Sequence, residues 1–351
     1  MSGYIKGRGA QILLGNKYHK LKYYEEESYP QESDSRRIRT KIYHESPKNI
    51  LSKNDSPDIP FTYSINPYQG CEHGCVYCYA RNSHEYWGFN AALDFESKII
   101  AKTDAADLLK KKFLSTSWKP ETVVMSGNTD CYQPIEKKLK ISRQLLQVFL
   151  EFGNPVGIIT KNVLVLRDID LLSKLAKERL VHVIFSITSF DDRLRQILEP
   201  RSSASRKKMV AIQKLKQHGV PVSVMLSPVI PGLNDHEIPS IIRETSFSGA
   251  ADIHMTMIRL NGITGTIFQD WLKKNFPERE KRVLNHIRSM HNGKLSESRF
   301  GVRMKGEGQL ADSIHKLFKT VKSHYFKKPH LHELNVGNFR RNGMHSLFDY
   351  R

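Results

Sequence analysis

The chain has 351 residues, 39% of them hydrophobic, enough to bury the core of one large domain or two small ones and to exclude a disordered polypeptide. Its 55 Lys and Arg against 36 Asp and Glu give a net charge of +19, which points toward a polyanionic partner, and no run approaches the roughly 18 apolar residues of a membrane span. Four cysteines, three of them within eight positions, exclude a disulfide framework, and the opening MSGYIKGRGAQ lacks the apolar stretch of a signal peptide, so a reducing cytoplasm is expected.

Residues 1–58 are polar and broken up, with YYEEESYPQESDSRR reading as loop or disorder, and form an N-terminal extension. From residue 59 short apolar runs alternate with helical patterns. The runs are FTYSIN (61–66), TVVMSG (122–127), VGIIT (156–160), VHVIFSI (181–187), VPVSVML (220–226) and DIHMTMI (252–258). Between them lie helical patterns at 104–114, 135–152, 168–179, 205–219 and 235–246, with apolar spacing mostly near 3.6. This alternation predicts an α/β fold, a parallel sheet with helical crossovers, open or closed into a barrel. In such folds chemistry sits at the carboxyl ends of the strands. Residues 263–351 form a C-terminal helical region, 266–291 and 308–324, followed by a basic tail ending in SLFDYR. The segments 1–58 and 321–351 carry only +3 and +4, so +12 belongs to the body between them, and the charge alone does not distinguish DNA, RNA, nucleotides or no polyanion.

The stretch CEHGCVYCYAR places Cys71, Cys75 and Cys78 at C-x3-C-x2-C spacing on a glycine-containing loop after the first strand. One reading is a zinc site completed by His73 or Cys131, although zinc sites usually use two paired knuckles and no second pair exists. The other is a [4Fe-4S] cluster on three thiolates, with one iron left open for a substrate or cofactor.

The spacing, Tyr77 just before the third cysteine and the six-strand alternation resemble the radical S-adenosylmethionine (SAM) superfamily. The resemblance covers residues 60–262 well and implies a partial (β/α)6 TIM-type barrel core over 59–262. It also implies that the three cysteines hold the cluster and that SAM chelates the open iron, to be cleaved into a 5'-deoxyadenosyl radical. SGNTD stands where the family's SAM amino-binding motif lies and offers Ser126, Gly127 and Asn128, without the usual acidic residue in its usual place. ITKN offers Thr160 or Lys161 to the cofactor, and SITS offers Ser186 and Ser189. LEPRSSASRKK supplies Glu199 for ribose hydroxyls and Arg201 for the methionyl carboxylate. SPVIPGLND resembles the loop whose backbone reads adenine, with Val229 and Ile230 nearest to it.

NPYQGCEHGCVYCYAR, EPRSSASRK and SPVIPGLND together resemble the branch related to spore photoproduct lyase, often labelled DNA repair photolyase-like. That resemblance implies lyase-like radical chemistry on a nucleic-acid base or nucleotide. Radical chemistry on a protein or small molecule is the alternative, and a zinc-stabilised nucleic-acid-binding module the remote one. A monomer is expected, with flavodoxin or ferredoxin as electron donor. Cys131 invites a hydrogen-donor role, at a helix start that would lower its thiol pKa. Arg303 and Lys305, in RMKGEG, are candidates for a phosphate contact. Tyr86, Trp87 and Phe89 are expected to cover the cluster or stack on a base.

Overall fold

In a computed structural model, which describes residues 5–12, 14–15, 38–327 and 331–343, all six apolar runs become strands of one sheet. The acidic stretch at 23–37 and the terminal SLFDYR lie outside the described residues. The strands are Tyr63–Ile65, Val123–Met125, Val156–Thr160, Val181–Ile187, Val222–Val229 and Asp252–Met257. They are called here the first to sixth barrel strands. Each pairs in parallel with the next in sequence. Leu51–Lys53 joins the outer side of the first strand antiparallel, and the sheet does not close. The result is a partial barrel whose strands all end on one side.

The near-continuous apolar strands are buried because helices cover their outer face. The helix Ile141–Phe152 turns Ile141, Leu145, Leu146, Phe149 and Phe152 inward at helical spacing. The pattern at 135–152 predicts one helix, yet the chain breaks it at Lys140, whose φ of 56° is left-handed. The cause is the buried Glu136. Its carboxylate accepts the Tyr68 hydroxyl and an Arg167 N–H, and also the Ser142 amide at 3.1 Å, thereby capping the second helix from outside.

The C-terminal basic residues are partly structural. Phe339 packs against Phe113 and Phe152, with ring centroids 5.9 and 6.4 Å away. Arg340 donates to the Leu150 carbonyl, and Arg341 to those of Ser115 and Trp118, so both satisfy backbone oxygens at or just beyond helix ends. Gly153 permits this approach, because a Cβ there would stand 2.2 Å from the Asn338 carbonyl oxygen.

A second, three-stranded sheet is absent from the sequence reading. Lys98–Ala101 lies between Lys41–His44, to which it is parallel, and Tyr68–Gln69, to which it is antiparallel. It ties residues before the barrel to the segment that leads into the cysteine loop. No helix among the described residues is long and apolar enough to cross a membrane.

Candidate functional site

The cysteine loop leaves the first strand at the carboxyl end of the barrel and is held from three directions. Gln133 accepts the Glu72 amide and donates to the Gly70 carbonyl. The Val76 amide donates to the Leu198 carbonyl, and the Arg201 amide to that of His73. Arg81, three residues past Cys78, is fully buried and spans the Cys75 and Ala92 carbonyls and the buried Glu96 carboxylate. Glu96 in turn accepts the amides of Gly9 and Ala10 at 2.9 and 2.8 Å.

Residues 8–10 therefore dock against the loop. A Cβ at Gly9 would stand 1.8 Å from the Gly74 carbonyl oxygen, where neither backbone can yield. Gly9→Ala is expected to cost about 1–3 kcal/mol, in the range of overpacked cores. Urea unfolding beside Gly15→Ala, where nothing lies within 4 Å of the added carbon, checks this. Equal effects at the two positions would refute the docking.

The carboxyl ends of the third and fourth strands supply a buried polar network. Glu199 has no exposed surface. Its carboxylate accepts the hydroxyls of Tyr77 and Thr188, the Lys161 ammonium at 3.0 Å and the Ser202 hydroxyl at 3.0 Å. Burial alone would raise this carboxyl, but Lys161, Lys208 and the hydroxyl donors hold it far below the ordinary glutamate range. Lys161 also donates to Ser186 Oγ at 2.7 Å, and buried Lys208 donates to the Ser186 carbonyl at 2.9 Å. Burial lowers Lys208 to about 8, against the pull of Glu199.

Asp130 knots the strand ends to the cysteine loop. One oxygen accepts Thr160 Oγ1 at 2.8 Å, the other the Lys161 amide at 2.7 Å, and His73 Nδ1 stands 3.3 Å away, at ion-pair distance without hydrogen-bond alignment. Burial works to lower His73, yet Asp130 and the Cys71 thiol outweigh it and hold the imidazole at about 10.

The residues expected from sequence separate into two sets. Tyr77, Ser186 and Glu199 meet in one network. Ser126, whose φ is 71°, Gly127 and Asn128 form the adjacent turn after the second strand. Tyr79 donates to the Gly127 carbonyl at 2.6 Å, and the Asn128 amide donates to Asn66. The others face the protein. Thr160 serves Asp130. Ser189 donates to Glu237 at 2.6 Å. The Val229 carbonyl accepts the Ile258 amide, and the Ile230 amide donates to Asn234. Arg201 does not join Glu199; it pairs with Glu72 at 2.9 Å.

Cys131 is also set apart, in the main core rather than in the small cluster of Cys71, Cys78, Ala80 and Phe95. The expected fall in its pKa is reversed: burial, with Asp130 beside it, pushes the thiol well above its ordinary value. Phe89 packs on Tyr43 and His84, whereas Tyr86 is 73% exposed. Arg303 is held by Asp58 at 2.7 Å and by Ser56.

Lys161, offered by ITKN, joins Glu199 and Ser186. Asp130, Thr188, Lys208 and Glu72 were not assigned from sequence, although each lies inside a motif singled out there, SGNTD, SITS, LEPRSSASRKK and CEHGC.

The three thiols suit an iron-sulfur core. Cys71 and Cys75 are buried and Cys78 half-buried, and burial pushes Cys78 up to about 11, with the Cys71 thiol adding to the effect. Cys75 is raised in the same way by burial and Glu199, with Cys78 and Cys71 contributing, while Lys161 opposes them. Thiols that disfavour one another's ionisation are satisfied by cationic iron, and the Ala80 amide already donates to the Cys78 sulfur. Among the described residues no three His, Cys, Asp or Glu side chains converge on a point that one metal ion could occupy. A four-iron core, which binds each thiolate through a different iron, does not need such a point.

Residues 65–245 match the family model described as the Radical SAM superfamily. An uncharacterised protein of Mycobacterium tuberculosis is 31% identical over 66% of this chain and 69% of its own length. One from Methanocaldococcus jannaschii is 32% identical over 64% and 80%. Among solved structures, spore photoproduct lyase complexed with dinucleoside spore photoproduct superposes with a TM-score of 0.59, covering 81% of this chain and 79% of that one at 15% identity. At that identity the likeness shows the fold.

Proposed function

The chain belongs to the radical SAM superfamily, and from that premise we propose that this enzyme carries one [4Fe-4S] cluster on Cys71, Cys75 and Cys78 and acts on a nucleic-acid base or nucleotide. The observation that carries the reading is the convergence of Cys75 with Lys161, Glu199 and Tyr77 at the carboxyl ends of the strands. When bound, the cluster supplies an electron to the SAM sulfonium, whose cleavage gives a 5'-deoxyadenosyl radical that abstracts hydrogen from the substrate. The protein's part is to bind, orient and exclude water. Ser126 and Asn128 after the second strand, Lys161 after the third, and Ser186 and Glu199 around the fourth are the polar groups placed to hold SAM. Lys161 offers a cation already oriented by Glu199 and Ser186. Burial keeps Cys131 protonated, the state a hydrogen donor needs, but its place in the core favours packing.

Two facts favour nucleic acid over a protein or small molecule. The net charge is +19, and the structural neighbour was solved with a dinucleoside photoproduct. The same net positive charge would suit an acidic reductant such as flavodoxin or ferredoxin. The test has two parts. Reconstituted protein given SAM and dithionite should release 5'-deoxyadenosine. Its affinity for DNA or RNA should fall with salt along a line whose slope counts phosphate contacts. Deoxyadenosine release without salt-sensitive binding would turn the reading to a protein or small-molecule substrate.

A further inference from the structure

Arg259, two residues past the end of the sixth strand, is a half-buried guanidinium that makes no hydrogen bond or ion pair among the described residues. It lies over the ring of Tyr79, 5.8 Å from the centroid, beside the turn that follows Cys78. Its backbone is fixed on both sides. The Ile258 amide donates to Val229 and the Leu260 amide to Leu295, while Asn82 bonds the Asn261 carbonyl and the Ile263 amide. The base of the side chain is therefore fixed, and the Tyr79 ring is the surface its guanidinium rests on.

Its neighbours leave it short of negative charge. The carboxylate whose charge acts on it is Asp58, already occupied by the Gly301 amide at 2.6 Å and Arg303 Nε at 2.7 Å. Two guanidiniums thus share one carboxylate. Burial and the adjacent Arg303 both make the charged form of Arg259 costly. A cation without a protein anion of its own at the reacting end of the barrel is open to an anion from outside. The faces beside it are aromatic: Tyr79 beneath Arg259, and Phe300, 58% exposed, beneath Arg303 at 4.7 Å. Cation and aromatic face in alternation is the arrangement that grips a single strand through its phosphates and bases.

We infer that Arg259 receives a backbone phosphate of the substrate strand, with Tyr79 and Phe300 as the flanking stacking faces. The inference rests on the nucleic-acid reading above. It assigns Arg303 to a supporting role, since Asp58 and Ser56 already hold its guanidinium.

The test uses the reconstituted full chain and a fluorescein-labelled single-stranded DNA 12-mer, with anisotropy read across a salt series. Arg259→Gln should weaken binding about tenfold at moderate salt and make the log–log salt slope less negative by about 0.7, the share of one phosphate on a single strand. Arg259→Lys should retain the slope. Lys319→Gln, the same charge change on the exposed outer helix Gln309–Tyr325, should leave both quantities unchanged. Iron content and melting temperature confirm that each variant is folded. Equal losses in Arg259→Gln and Lys319→Gln would reduce the effect to general charge and overturn the assignment. Unchanged binding in Arg259→Gln would overturn it while leaving the nucleic-acid reading in place. Failure of the unaltered chain to bind the strand at low salt, or preference for an acidic peptide, would overturn both. Displacement of the strand by equimolar thymidine monophosphate would place a mononucleotide, rather than a strand, against Arg259.

Discussion

Anaerobic reconstitution is expected to load about four irons per chain, and a variant with Cys71, Cys75 and Cys78 all replaced by alanine is expected to load none. The loss would report ligation and not collapse, because the replacements are small. Cys71 and Cys75 each keep only 7% and 6% of their surface, and alanine at either forfeits one sulfur atom's packing. The loop does not depend on the thiols for its shape: Gln133, Arg81 and the Leu198 carbonyl hold it through its backbone. Circular dichroism should therefore match the unaltered chain. Cys131→Ser gives the contrasting arm. That thiol belongs to the main core, so its replacement should leave the iron content near four. Iron retained in the triple variant, or lost in Cys131→Ser, would overturn the three-thiol assignment.

The barrel was legible because its signals are local. Each run such as VGIIT or VHVIFSI is long and apolar enough to mark a doubly covered strand by itself, and strand order then follows sequence order. The small second sheet was not legible. KIYH and KIIA are short and begin with lysine, and their pairing joins Lys41 to Lys98 across more than fifty residues. The break at Lys140 was hidden for a related reason. The side chain that causes it, Glu136, is placed by Tyr68 and Arg167, which no helical pattern reveals. At the site, sequence proximity is no guide to contact. Glu199 and Arg201 lie two residues apart, but Glu199 ends a helix and faces the barrel, while Arg201, on the following turn, reaches across to Glu72. Apart from nearby Ser202, the partners of Glu199 are Tyr77, Lys161 and Thr188, gathered by the fold from three separate segments.

Glu199→Gln is expected to destabilise the protein by about 3–5 kcal/mol near neutral pH, the range for breaking a buried ion pair from one side. The substitution preserves volume, so the cost is electrostatic. Lys161 and Lys208, both enclosed, would lose the anion that offsets their desolvation. Each must then remain charged at a penalty or give up its proton. This choice makes the loss depend on pH, with a sign that can be worked out. In the unaltered chain burial holds Lys208 at about 8 against the pull of Glu199, whereas Lys161 is raised above its ordinary value. Without the carboxylate both fall. Between the new folded values and the unfolded value of about 10.4, the unfolded chain binds more protons. Stability of the variant therefore climbs as pH rises, from a lower pH than in the unaltered chain and through two lysines instead of one. The gap between the two proteins should narrow from pH 7 to pH 10. It should narrow on the acid side as well. The folded carboxyl of Glu199 sits far below the ordinary range, so the stability it confers is present above the unfolded glutamate value of about 4.3 and is lost as pH falls toward the folded one. Thermal unfolding of the two reconstituted proteins, compared anaerobically at several pH values, reads the gap. A deficit of constant size from pH 6 to pH 10 would mean that Glu199 acts by shape and hydrogen bonding alone. The cation it steadies beside Cys75, Lys161, would then not depend on it for charge.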